Sequence, residues 1–399
     1  MRKAPGLFFL LIAAFCTPAS AGYSWQLARV IDHTKVGAAD LANFTFPVVL
    51  TNSRLRTTAK SGSVVNTVPC GVNAITCPAD LIFSSTACAT PTPMNWHFDS
   101  YSPVSGTIVA KVKAAAVSHS IDTAYWICVG NAAVTTFQGG QNGSEFDSLT
   151  AAQYALSDGS VLSVRDTSAN AADAVNHGAT AIAGKVDGAA AFSSGSSQSI
   201  ASNVILGNTN FAQGTVCAWA YSNNSYNDGL KDILFGQLDA GTGEELVGMK
   251  WENNNLYFGW RTSAGGDRRV VIPATPENFP QNSWNQYCLS WTNGGTTALY
   301  LNGALLGTNT LTPVTVSPGT NPLSIGTEPG SGAYWDGGVD EFRLSASVRS
   351  ADWILAEYNS QNSPATFSTG AQWDSLDGGG VIIPPVQTLS NIKVQGLIF

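Results

Sequence analysis

Apolar and polar residues alternate along most of this chain in short runs, and few stretches repeat at the 3.6-residue period of a helix. From Trp25 to about Val134, the runs Phe44 to Leu50, Leu81-Ile82-Phe83, Ile108 to Val112 and Ala124 to Val129 read as strands of a β-sandwich. A second series, Gly214 to Tyr221, Asn255 to Trp260, Tyr287 to Trp291 and Thr297 to Leu301, predicts more strands with tight turns. The last of these runs into Asn302-Gly303, a hairpin signal because both residues of a type I′ turn take positive φ. One helix is predicted, starting near Ser350 with Asp352 in its first turn, carrying Trp353, Ile354, Leu355 and Tyr358, and stopped by Pro364.

Breaks in this pattern divide the chain. Arg2 and Lys3, the apolar run Leu7 to Phe15, and Ala19-Ser20-Ala21 read as a cleaved export signal over 1–21. A β-sandwich domain is expected over 22–139, a polar glycine-rich linker over 140–144, and a second domain over 145–370. A tail over 371–399 holds Gly378-Gly379-Gly380, Pro384-Pro385 and a strand-like end, Ile392 to Phe399. After the signal no apolar run approaches the roughly 18 residues that span a bilayer, so no membrane span is expected in the mature chain.

Composition narrows the function. With 19 Lys+Arg against 27 Asp+Glu, and two of the basic residues inside the signal, the surface is acidic and nucleic acid is excluded as a partner. Cleavage of the signal removes Cys16 and leaves an even number of cysteines, which in an exported chain points to disulfides. Cys217 and Cys288 are left to each other. Cys70, Cys77, Cys88 and Cys128 allow three pairings, among which the sequence does not choose.

No catalytic constellation is visible, and a non-enzymatic role is expected. His33, His97, His119 and His177 carry no local signature, and there is no Gly-x-Ser-x-Gly or His-Glu-x-x-His. The adjacent carboxylates Glu244-Glu245 and Asp340-Glu341 would point to opposite faces of a strand, and a glycosidase needs two on one bond. Sugar recognition asks for an aromatic ring to stack on the pyranose and for amides or carboxylates to bind its hydroxyls. Three loops offer these groups: Tyr221, Asn223 and Tyr226; Trp251 and Tyr257; Trp260 and Arg261.

The segment Trp335 to Ser345, with Arg349-Ser350-Ala351-Asp352-Trp353 and Ala356-Glu357-Tyr358-Asn359, resembles the C-terminal end of bacterial laminin-G-like, concanavalin A-like domains. Gly184 to Phe192 and Thr215 to Trp219 match earlier segments of that family in order, so the likeness covers about 145–370. The first region is similar to the family called domain of unknown function 2341 through Trp25, Leu41 to Leu50, Asp80 to Phe83 and Tyr125 to Asn131. It departs from that family in its four cysteines and in an insertion around Pro69 to Cys77.

The resemblance implies an all-β protein, a small N-terminal β-sandwich followed by a concanavalin A-like jelly-roll. It implies that Trp219, Trp291, Trp335 and Trp353 are packing residues. It also suggests a structural calcium, for which Asp336, Asp340 and Asp187 are the candidate ligands; the alternative for Asp340 is that it caps a turn or pairs with Arg343. The retaining hydrolases of this fold carry Glu-x-Asp-x-x-Glu, which this chain lacks. The resulting expectation is a secreted, periplasmic or cell-surface protein that binds carbohydrate or a glycoconjugate through its second domain. The alternative is an adhesion or assembly protein working by protein contacts, with residues 382–399 supplying a strand to a partner; a glycoside hydrolase is the third reading.

Overall fold

A computed structural model describes residues 22–376 except 71–74, 141–142, 157–161, 205–212, 239–244, 252–253, 263–265, 293–294 and 311–320. The expected export signal and the terminal strand at 392–399 therefore lie outside the described residues. The described chain is almost entirely β, in two sandwiches.

In the first sandwich, a four-stranded sheet runs in the order Ser368–Ser375, Trp25–Ile31, Thr123–Val129, Leu81–Ser84. It faces a three-stranded sheet ordered Leu41–Thr51, Thr107–Val117, Asn95–Ser102. Alternate residues of these strands, among them Phe44, Phe46, Ala110, Val112, Tyr125 and Ile127, bury into one core. The four early cysteines pair as Cys70–Cys77 and Cys88–Cys128.

The second sandwich is the expected jelly-roll, with two eight-stranded antiparallel sheets. One contains, side by side, Thr180–Ala183, Gly188–Phe192, Gly337–Ser345, Gln213–Ser222, Trp284–Thr292, Thr297–Leu301 and Ala304–Asn309. We call it the front sheet. The back sheet includes Ser324–Ile325, Asp232–Leu238, Glu245–Trp251 and Asn255–Thr262. Val216, Ala218 and Ala220 face Leu246, Phe258 and Trp260 in the core between them. Asn302 and Gly303 both take positive φ, as the hairpin requires.

Two expected boundaries move. The helix forms over Ala351–Asn362, with the Ser350 side chain accepting from the Trp353 amide, but it does not belong to the second sandwich alone. Trp353 and Ala356 pack into the core of the first sandwich, while Ile354 covers the Cys217–Cys288 disulfide on the front sheet. The chain then pairs Ser368–Ser375 with Trp25–Ile31, so position 370 falls inside a strand of the first sandwich rather than at the start of a tail. Phe367 explains the return, because it is fully buried against Phe44 and Phe46. The glycine-rich stretch before Glu145 is likewise fastened to the first sandwich: the Gly140 amide donates to the Trp96 carbonyl at 2.6 Å.

Candidate functional site

The outer face of the front sheet has a covered end and an open end. Along Gln213–Ser222, the inward residues alternate with Cys217, Trp219 and Tyr221, which point outward. At the covered end, Trp219 stacks on Tyr358 of the helix at 5.5 Å, and its indole donates to Gln361 Oε1 at 2.6 Å. Lys185 Nζ lies 4.9 Å from the same ring, and burial pushes its pKa down.

Beneath the first sandwich this covered face carries a chain of buried charges. His97 lies between Glu145 (Nδ1 to Oε1, 2.7 Å) and Asp99 (Nε2 to Oδ1, 2.9 Å). Lys111 bridges Asp99, at 3.2 Å, and Glu341. Glu341 then accepts from Gln153 at 3.2 Å, Gln153 accepts from Arg343, and Arg343 pairs with Glu357 of the helix at 3.2 Å. Burial alone would lower the pKa of His97, but the two carboxylates outweigh it and raise it to about 9. Burial works against Asp99 too, and Lys111 and His97 hold it down at about 2. These groups join both sandwiches and the helix into one polar contact, and each is committed to a partner.

At the open end, Tyr221 pairs directly across the sheet with Trp284, ring centroids 5.6 Å apart, and both rings are half-buried. The Trp284 indole reaches over Gly338, where a Cβ would lie 2.7 Å from the ring; Gly338 therefore gives the ring its seat. Polar groups border this aromatic pair. Asn223 donates through Nδ2 to Asp336 Oδ1 at 2.7 Å, and its amide donates to the Asp336 carbonyl. Ser194 Oγ donates to Asp336 Oδ2 at 2.9 Å, and Gln281 Nε2 donates to the Asn223 carbonyl. Partial burial pushes the Asp336 pKa up, but the bonds from Asn223 and Ser194 prevail and hold it below the usual value, so the carboxylate is ionised at neutral pH. The arrangement offers a ring surface beside fixed amide and carboxylate groups.

The other sequence candidates do not join this set. Trp260 is a core residue, packed edge-on against Trp291, and has no face for a ligand. Strand alternation explains it: Leu256, Phe258 and Trp260 share one side and Tyr257 takes the other. Tyr257 lies on the outer face of the back sheet with the Arg269 guanidinium 4.8 Å from its ring, and exposed Arg261 lies 3.8 Å from Glu245. Tyr226 packs against the core. Trp251 ends its strand, and its side chain lies outside the described residues. Trp284, which sequence reasoning missed, was legible through its parity, since it alternates outward with Cys288 from inward Tyr287 and Leu289.

The calcium candidates do not converge. Asp336 is held by Asn223 and Ser194, whereas Asp340, four residues along the same chain, accepts from the Lys185 and Val186 amides at 2.6 and 3.1 Å and caps that turn. Asp187 bonds to Ser100 of the first sandwich. Among the described residues, the one set of three such ligand atoms within 4.8 Å of one another is Asp32, His33 and Asp122, in the first sandwich. The three expected aspartates thus do not fit a common ion.

Strand alternation also misjudges the neighbouring carboxylates Asp340-Glu341. Glu341 has φ 51°, and a bulge places two residues opposite Ala218, so both carboxyls are buried on interacting sites. Burial, then Glu341, keeps Asp340 well above its ordinary pKa. Glu245 finds a partner far along the chain: burial, then the bond to Glu245, pushes Glu328 up to about 8, while Arg269 pairs with Glu245 at 2.8 Å.

Among the described residues no helix is long and apolar enough to cross a membrane, and the three disulfides are compatible with an oxidising compartment.

Solved structures similar to this chain include domain 4 of AbnA, an extracellular arabinanase from Geobacillus stearothermophilus, in complex with arabinotriose. It is 17% identical with a TM-score of 0.39, and the match covers 52% of this chain and 98% of that one. The binding domain of Paraclostridial Mosquitocidal Protein 1 is 16% identical with a TM-score of 0.40, covering 49% of this chain and 48% of that one. The botulinum neurotoxin serotype D ligand-binding domain, in complex with N-acetylneuraminic acid, is 14% identical with a TM-score of 0.41, covering 53% of this chain and 50% of that one. This chain therefore spans about half the length of the two toxin domains. No curated protein matches the chain. Residues 192–355, which hold most of the strands of the front and back sheets, match the laminin-G family model of the concanavalin A-like lectin/glucanases superfamily.

Proposed function

We propose that this is an exported, non-catalytic binding protein whose second sandwich recognises carbohydrate at the open end of the front sheet. The observation that carries this reading is the half-buried Tyr221–Trp284 pair bordered by Asn223, Asp336 and Gln281. A pyranose ring stacks its apolar face on such a surface, while ionised Asp336 and the amides take its hydroxyls. The resemblance of the first region to the domain of unknown function 2341 stands as part of this proposal.

The test is binding of the mature chain to a broad panel of glycans and polysaccharides, with calcium and again with chelator. The expected result is binding to a defined sugar class in both conditions, since Asp336, Asp340 and Asp187 do not converge on an ion. Silence across the panel would overturn the carbohydrate reading, and loss of binding in chelator would overturn the ion-independent one.

A further inference from the structure

We propose that Asp32, His33 and Asp122, at one end of the first sandwich, form a binding site for a divalent transition-metal ion of the zinc class. The site stands apart from the carbohydrate shelf and from the aspartates of the second sandwich, which share no ion.

Two strand ends bring the three residues together. Ile31 and Thr123 are the last opposed pair between Trp25–Ile31 and Thr123–Val129. Asp32 follows the first strand and Asp122 precedes the second, so the antiparallel ladder delivers both carboxylates to one place. His33 then turns back on Asp122: its amide donates to Asp122 Oδ1 at 3.2 Å, and its Nδ1 lies 2.7 Å from the same oxygen. Asp32 Oδ1 accepts from the amide and the hydroxyl of Thr34, at 2.9 and 2.7 Å. These bonds orient both carboxyl groups through one oxygen of each, and the second oxygen is left for a cation.

The donor set selects the ion. One imidazole nitrogen and two carboxylate oxygens lie within 4.8 Å of one another. Around zinc, with bonds of about 2.0–2.1 Å, tetrahedral ligand atoms stand about 3.4 Å apart, so side-chain rotations of about an ångström complete the set. An imidazole among carboxylates suits zinc and its neighbours in the first transition row, whereas calcium and magnesium take larger sets of oxygens.

Charge is a second and independent pointer. The side chains of His33 and Asp122 are only 13% and 9% exposed, and among the described residues neither Asp32 nor Asp122 pairs with a lysine or an arginine. Elsewhere Lys111 answers Asp99 and Arg269 answers Glu245. Here two carboxylates exceed what a single imidazole can offset, even when protonated, and a dication balances them in poorly solvated surroundings. A neighbouring pair supplies the internal contrast. Asp40 and His119 meet in the same way, Nδ1 to Oδ1 at 2.6 Å, but their side chains are 64% and 41% exposed, and among the described residues no third ligand joins them.

Calorimetric titration of the full mature chain, stripped of metal and dialysed, with zinc chloride and then with calcium and magnesium chloride tests this. One zinc ion per chain is expected, with calcium and magnesium at least about tenfold weaker. Asp32→Asn is the decisive variant, because its amide oxygen still accepts from Thr34 while the charge is gone. Zinc affinity is expected to fall at least about tenfold in it, and the rise in melting temperature that zinc gives the parent is expected to vanish, with the zinc-free melting temperature unchanged. His33→Ala is expected to abolish binding, whereas His119→Ala keeps the parent's affinity within about twofold. Absence of zinc binding in the parent would overturn the proposal. So would zinc binding that survives both Asp32→Asn and His33→Ala, or that is lost in His119→Ala, since the ion would then lie elsewhere. Calcium bound as tightly as zinc would overturn the assignment of the ion.

Discussion

Trp219 and Tyr221 stand two residues apart on one strand, on one face of one sheet, yet one is structural and the other is presented to solvent. The difference lies outside that strand. The helix Ala351–Asn362 and the first sandwich cover Trp219, which stacks on Tyr358 and donates to Gln361. The same cover stops short of Tyr221 and Trp284, leaving an aromatic pair half-exposed beside Asn223 and Asp336. An aromatic side chain on a sheet face becomes core or shelf according to what a distant part of the chain lays over it.

The largest effect that would sharpen this contrast comes from the covered ring. Trp219→Ala is expected to destabilise the fold by about 3–5 kcal/mol, the usual cost of deleting a buried tryptophan, as read by urea denaturation. A loss below about 1 kcal/mol would mean that the covered end is not tightly packed.

Lys111→Met addresses the polar part of the same cover. Removing one partner of a buried pair leaves uncompensated charge, here on Asp99 and Glu341, and is expected to cost about 3 kcal/mol. Equal stability of the variant would show that those carboxyls are already neutral.

A third, smaller effect is the pH dependence that His97 confers. Its pKa is about 9 in the folded state against an ordinary 6.5, so the native state binds the proton more tightly. Its contribution is complete below about pH 6.5 and is lost as pH rises through about 9. Urea midpoints at pH 6 and pH 10 are expected to differ more for the parent than for His97→Gln, and an identical difference would remove His97 from the junction.

Much of this arrangement was legible in the sequence because it rests on local rules. Alternation located the long strands, Asn302-Gly303 marked its turn, and Ser350 and Pro364 bounded the helix. The pairing of Cys217 with Cys288 followed because no other cysteine lay in that region. Alternation also separates Trp260 from Tyr257 and turns Trp284 outward with Cys288, a signal present in the sequence but unused.

What local rules could not supply was long-range. Nothing near Trp353 indicates that its ring enters the core of a sandwich built mainly from residues some 300 positions earlier. The bulge at Glu341 breaks the alternation that was expected to separate it from Asp340. The partners of Asp336, namely Ser194 and Asn223, come from two other stretches of chain, and so the set can be assembled only in three dimensions.

The most direct test of the shelf compares the parent with Trp284→Ala, titrating each by calorimetry with the tightest-binding glycan of the panel and melting each in parallel. The account predicts that affinity falls at least about tenfold, or about 1.4 kcal/mol, since truncating a tryptophan that is the main platform of a binding site typically costs on the order of 2 kcal/mol. It predicts that the melting temperature changes by only a few degrees, because the ring is half-exposed. Unchanged affinity in a folded Trp284→Ala protein would contradict the central claim and move the binding site away from the open end of the front sheet.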